Sequence, residues 1–146
     1  MIDDVYNSKL LQFAGNIGRV GTLDAPDASA KAVSKLCGST VSIDLKMADD
    51  EVSDYAQQVK ACALGQATSA IVAENIMGAT GEEIRLAREQ MTAMLKDDGE
   101  PPNGRFADLK YLQPVKDYKA RHASTLLVLD ALVDALDQIA QKQAAA

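Results

Sequence analysis

The sequence predicts an α+β domain, with a three-stranded antiparallel sheet packed on one face by about four to five helices. Three observations predict it. Short runs of alternating side chains lie between residues 30 and 61, each broken by a turn signal. A segment built mostly from Ala, Gly, Ser and Thr follows at once, from Ala63 to Ala73. Beyond residue 80, apolar residues recur at helical spacing almost to the C-terminus.

Taken in order, Val5, Leu10, Leu11, Phe13 and Ala14 make a short amphipathic helix that stops at Gly15-Asn16. Gly18, Gly21 and Pro26 break any regular pattern, so residues 15–28 read as a loop into the sheet. The first run sets Ala30, Ala32, Ser34 and Leu36 against Lys31, Val33 and Lys35. It gives way at Cys37-Gly38-Ser39 to a second run, residues 41–47, which makes a hairpin with a thiol at its bend. Asp49-Asp50-Glu51 is long enough only for an antiparallel connection to the third run, residues 52–61. Cys62 closes that run and opens the small-residue segment, so it stands at a helix N-terminus. Small residues on every side let this helix approach the sheet and be buried almost all round.

Gly78-Ala79-Thr80 ends that helix, and Thr80-Gly81-Glu82-Glu83 has the spacing of a capping box for the next. Ile84, Ala87, Met91, Met94 and Leu95 mark its inward face, with Arg85, Arg88, Glu89 and Lys96 outside. Residues 97–104, rich in Asp, Gly and Pro, form an exposed loop whose acidity reads as solvated surface. Residues 105–120 suit a short helix or two. The last helix runs from about Arg121 to Lys142, its apolar stripe including Leu129, Leu132, Leu136 and Ile139. Asp130, Asp134 and Asp137 lie opposite and read as a wet face.

A chain of 146 residues suits one domain spanning 1–146, large enough to bury roughly two thirds of its unfolded surface. Its net charge of -6 argues against a sequence-independent nucleic-acid binder, which needs a basic face for phosphates. The absence of Trp and the scarcity of aromatics argue against base-stacking platforms. No signal-peptide pattern opens the chain, and no apolar run approaches the ~20 residues of a membrane span. A cytoplasmic protein is the expectation, and there two cysteines are free thiols or ligands rather than a structural disulfide. Free Cys also serves as a small buried hydrophobe, but the turn at Cys37 and the helix start at Cys62 favour chemistry. A helix N-terminus favours thiolate, the form that binds metal or attacks sulfur. No catalytic triad, P-loop, dinucleotide fingerprint or CxxC pair is present.

The Cys37-Gly38 turn, Cys62 about 25 residues on before a small-residue helix, and Asn16-Ile17-Gly18-Arg19-Val20-Gly21 resemble the NifU-like (IscU/SufU) iron-sulfur cluster assembly scaffold family. The resemblance covers most of the chain, and the long insertion near 95–115 is similar to the SufU-type branch. It implies a NifU-like N-terminal-type domain that is not an enzyme in the ordinary sense. The cargo it implies is iron or a 2Fe-2S cluster, held by Cys37 and Cys62. Cysteine desulfurase is the implied partner, and neither nucleic acid nor membrane is expected. A zinc-binding, SufU-like sulfur acceptor with sulfurtransferase-like behaviour is the alternative, and a metal-free interaction protein on the same fold is another.

The chain departs from the family twice. The Asp that follows the first Cys-Gly is replaced by Ser39, and the Cys that begins the last helix by Ser124. A serine hydroxyl is a hard, mostly protonated oxygen and replaces either group poorly. His122, the only histidine, stands two residues before Ser124 and enters the expected metal set with Cys37 and Cys62. With two thiolates per chain, a 2Fe-2S cluster is expected to be completed by a homodimer or a partner. Leu112-Gln113-Pro114-Val115-Lys116 is similar to a chaperone-docking motif of the IscU branch, but its distance from Ser124 favours coincidence.

Overall fold

The computed structural model describes residues 8–35 and 38–145. Among these are helix α1 (Ser8–Ala14), strands β1 (Ala28–Val33), β2 (Thr40–Ala48) and β3 (Glu51–Lys60), then helices α2 (Ala63–Asn75) and α3 (Gly81–Lys96). Two 3-10 stretches, Gly104–Asp117 and Lys119–Arg121, lead into the last helix, α4 (His122–Ala145). The sheet has the order β1-β2-β3 with both pairs antiparallel. The expected α+β architecture is therefore present.

Alternation fixes which face of the sheet meets the helices. Ala28 and Ala30 of β1 and Val41, Ile43 and Leu45 of β2 point inward and are buried. In β3 the buried Val52 and Tyr55 are three residues apart, which strict alternation forbids. An irregularity opposite Lys46 and Met47 resolves this by shifting the register by one residue. The β2–β3 connection is a two-residue turn in which Asp49 and Asp50 both have positive φ, 53° and 65°, the geometry that matches strand twist in tight hairpins.

Helix α2 lies in the middle of the core, with Leu64, Gly65 and every residue from Ala67 to Ala73 buried. Arg105 holds its far end, donating from Nη1 to the Asn75 and Met77 carbonyls (3.3 and 3.1 Å) and from Nε to Glu83 (3.2 Å). The capping box at α3 forms as its sequence spacing predicts, with Thr80 Oγ1 accepting from the Glu83 amide and Glu83 accepting from the Thr80 amide. That amide, then Arg105, holds the Glu83 carboxyl below its ordinary range.

The acidic row of α4 does not simply face water. Arg88 Nε contacts Asp130 at 2.7 Å and Arg85 Nη1 contacts Asp137 at 2.8 Å, so the row pairs with the basic row of α3. All four side chains remain substantially exposed, and such pairs add little stability.

Candidate functional site

Antiparallel pairing brings the thiol-bearing segments to one end of the sheet. Val33, the last residue of β1, pairs with Thr40, the first of β2, and Thr40 pairs with Lys60, the last of β3. The β1–β2 connection and the β3-to-α2 junction therefore lie side by side. Ser34 and Ser39 close the connection through an amide-to-carbonyl bond of 2.8 Å, and Gly38, at φ 70°, supplies its left-handed turn. Cys37 lies outside the described residues. Its expected Asp-substituting neighbour, Ser39, is 4% exposed.

Cys62 is the N-cap residue of α2, with extended backbone (φ -66°, ψ 170°) and no side-chain cap bond. Its thiol is therefore not spent on the helix end, and the residue is half-buried rather than sealed. Its Sγ lies 3.6 Å from Ser124 Oγ, across from the first turn of α4. Ser124, 1% exposed, also donates to the Arg121 carbonyl at 3.2 Å. Because that carbonyl only accepts, the hydroxyl proton points to it and the Cys62 thiol donates to Oγ. The position two residues after His122 and the helix start at Cys62, far apart in sequence, thus meet at one point.

Gly65 makes this approach possible. A Cβ there would stand 2.8 Å from Ala61 Cβ and 3.0 Å from the Ser124 carbonyl oxygen, closer than ordinary contact permits. Sequence reasoning did not single out Gly65. Its signal was a glycine one turn after Cys62 in a helix otherwise rich in Ala.

His122, the first residue of α4, is also at this end. It is buried, and its Nε2 lies 3.0 Å from the Val115 carbonyl and 3.1 Å from the Lys116 carbonyl. Both partners only accept, so Nε2 carries the proton and is engaged as a donor. His122 thereby ties the 3-10 stretch to the start of α4 and fixes where Ser124 stands. Among the described residues, no group of three or more His, Cys, Asp or Glu side chains is arranged to hold a metal ion. Among them, too, no helix is long and apolar enough to cross a membrane.

A second buried polar group escaped sequence reasoning. Gln57, on the inner face of β3, accepts from the Tyr55 hydroxyl at 2.8 Å and donates to the Gly18 and Ser69 carbonyls, both at 3.1 Å. Burial pushes Tyr55 ionisation far above its ordinary value, so Tyr55 serves as a neutral donor. The Gln57 amide also donates to Arg19 and its carbonyl accepts from Gly21. One side chain and its backbone thus hold the Gly18–Gly21 segment against the sheet and α2.

Comparison with known proteins agrees with this arrangement. Residues 5–125 match the family model described as the NifU-like N terminal domain. The crystal structure of a nitrogen-fixing NifU-like protein (N-terminal) from Brucella abortus is 59% identical, covers 97% of this chain and 98% of its own, and superposes with a TM-score of 0.95. An iron-sulfur cluster assembly scaffold protein IscU from Thermotoga maritima is 25% identical over 137 residues, 94% of this chain and 96% of that protein. The structure described as a putative iron-sulfur cluster assembly scaffold protein for the SUF system, from Fervidobacterium islandicum AW-1, is 20% identical, covers 92% of this chain and 98% of its own, and shares the fold with a TM-score of 0.84. By the extent of the family match and the likeness to the Brucella protein, the chain belongs to the family of NifU-like N-terminal domains.

Proposed function

We propose that this protein is a scaffold in iron-sulfur cluster assembly, receiving iron and sulfide as cargo on Cys37 and Cys62. The observation that carries the reading is Cys62 at the head of α2, its Sγ beside Ser124 at the end of the sheet where the Cys37 connection also begins and ends. Thiolate suits such cargo because soft sulfur donates charge to iron. The accessible thiol at a helix start, free of a capping bond, is available for that role. In this reading Ser124 fills the place of a third thiolate without supplying one, so the chain is a two-thiolate scaffold. In this reading His122 serves as a brace: its two carbonyl contacts engage Nε2, and only Nδ1 would be open to a metal.

The donor set does not fit a resident zinc ion. A closed zinc site takes four ligands, and two cysteines with an engaged histidine fall short of that number. No step is assigned to zinc. A cysteine desulfurase is the partner that the reading requires as the source of persulfide sulfur, and an external two-electron reductant brings that sulfur to the sulfide level.

A 2Fe-2S cluster ordinarily takes four protein ligands, so two copies of Cys37 and Cys62 complete one cluster across a two-fold axis. Anaerobic reconstitution followed by size-exclusion chromatography, with absorbance read in the visible, tests this. Colour eluting with a dimer is expected. Colour confined to the monomer would overturn sharing, and no colour at any size would overturn the scaffold reading.

A further inference from the structure

The face of the sheet opposite the helices is only half covered. The chain crosses it between α1 and β1: Val20 bridges to Gln57 at the β3 edge, the Leu23 amide donates to Asp44 Oδ2 at 2.9 Å, and the Asp27 amide donates to the Leu45 carbonyl at 2.8 Å. Ala56, opposite Asp44 on this outer face, is accordingly only 6% exposed. The half left open is the one at the Cys62 end. It presents two cross-strand rows, Lys31-Ser42-Gln58 and Val33-Thr40-Lys60, around a shallow concavity of about 260 Å³.

In a chain of net charge -6, this patch is positive. Neither row contains a carboxylate, and Asp44 in the next row already accepts from Ser29 Oγ and the Leu23 amide. Among the described residues neither the Lys31 nor the Lys60 side chain makes an ion pair or hydrogen bond, whereas those of Arg85, Arg88, Arg105 and Lys116 are each paired. Lys35 in the β1–β2 connection and Lys119 and Arg121 before α4 add cations at the same end, against Asp117 alone among residues 117–121. Val33, 54% exposed, gives the patch an apolar point.

We propose that this open half of the sheet docks an acidic segment of a protein partner, its carboxylates on Lys31 and Lys60 and an apolar side chain on Val33. A single-sign patch on an oppositely charged molecule orients encounter and sets register. It is also screened beyond about 10 Å at ordinary salt, so binding there falls with ionic strength. The surface is next to the Cys62 end of the sheet, so a docked partner would stand beside the candidate site. The inference goes beyond the scaffold reading and is tested on metal-free protein, so its failure leaves that reading standing.

The test is fluorescence anisotropy with a labelled peptide of Glu-Glu-Leu repeats. Binding is expected to wild type, to fall with added salt, and to weaken at least about tenfold in Lys31→Glu/Lys60→Glu. Lys96→Glu/Lys110→Glu, reversing the same charge elsewhere, is expected to stay within about twofold of wild type. If the first variant does not fold by circular dichroism, Lys31→Gln/Lys60→Gln takes its place, with a smaller loss in the same direction. The proposal is overturned by no binding to wild type, by equal binding of wild type and the Lys31/Lys60 variant, or by an equal loss in the Lys96/Lys110 control. Tighter binding of a labelled single-stranded RNA of matched charge would assign the patch to nucleic acid and overturn it too.

Discussion

Replacing Gly65 by Ala perturbs the site without touching a candidate ligand. The added methyl would meet Ala61 Cβ at 2.8 Å and the Ser124 carbonyl oxygen at 3.0 Å. Carbon-carbon contacts settle at about 3.5–4.0 Å, so the entry to α2 has to move by close to 1 Å, roughly the length that separates contact from clash. Overpacking of this kind costs about 1–3 kcal/mol, and Ala in a helix recovers about 1 kcal/mol over Gly. The net expectation is a loss of about 1 kcal/mol, or a fall of about 3–4 °C in Tm for a chain of this size, measured by circular dichroism. Gly18 is the matched control, because a Cβ there meets nothing within 4 Å and its φ lies outside the left-handed region. Gly18→Ala is expected to be neutral or stabilising by up to about 1 kcal/mol. A Gly65→Ala protein as stable as wild type would refute the reasoning, since the approach of α2 to α4 would then not depend on the missing Cβ.

Three further outcomes follow from other contacts. Gln57→Leu strands the Tyr55 hydroxyl and the Gly18 and Ser69 carbonyls, so a loss of about 2–4 kcal/mol is expected in urea unfolding; a loss below about 1 kcal/mol would show that water replaces the side chain. Because the folded protein holds Glu83 below its ordinary range, the stabilisation is complete above about pH 4.3, the unfolded value, and is lost as pH falls through the lower folded value. Glu83→Gln should therefore lose less of its urea midpoint between about pH 6 and pH 3 than wild type does, and equal losses would contradict the assignment. Ser124→Cys puts a third thiol beside Cys62, where Oγ now lies 3.6 Å away; slower loss of reconstituted cluster to a chelator is expected, and an unchanged rate would place Ser124 outside the cargo site.

Local signals were legible in the sequence and long-range ones were not. The end of α1 at Gly15-Asn16, the Asp49-Asp50 turn and the Thr80 capping box each depend on a few adjacent residues, and each forms where the pattern places it. The meeting of Cys62 with the start of α4 joins positions 62 apart, which no local pattern shows. The bracing of His122 was equally hidden, because the carbonyls of Val115 and Lys116 set the ring's position through a 3-10 stretch that no periodicity announces. The alternation in β3 hid Gln57, because a polar residue in an inward register looks like an error until its three partners are known. Asp130 and Asp137 looked solvated for the same reason: helical spacing shows which face they share, but not that Arg88 and Arg85 stand across from it.

The central claim is that Cys37 and Cys62 hold iron-sulfur cargo together, and it is tested most directly by counting iron and acid-labile sulfide in anaerobically reconstituted protein and its single-cysteine variants. Wild type should carry about one iron and one sulfide per chain, as one 2Fe-2S cluster shared by two protomers demands. Cys62→Ala and Cys37→Ala should each lose nearly all of both, while His122→Gln, if folded, keeps them. Undiminished iron and sulfide in Cys62→Ala would contradict the account.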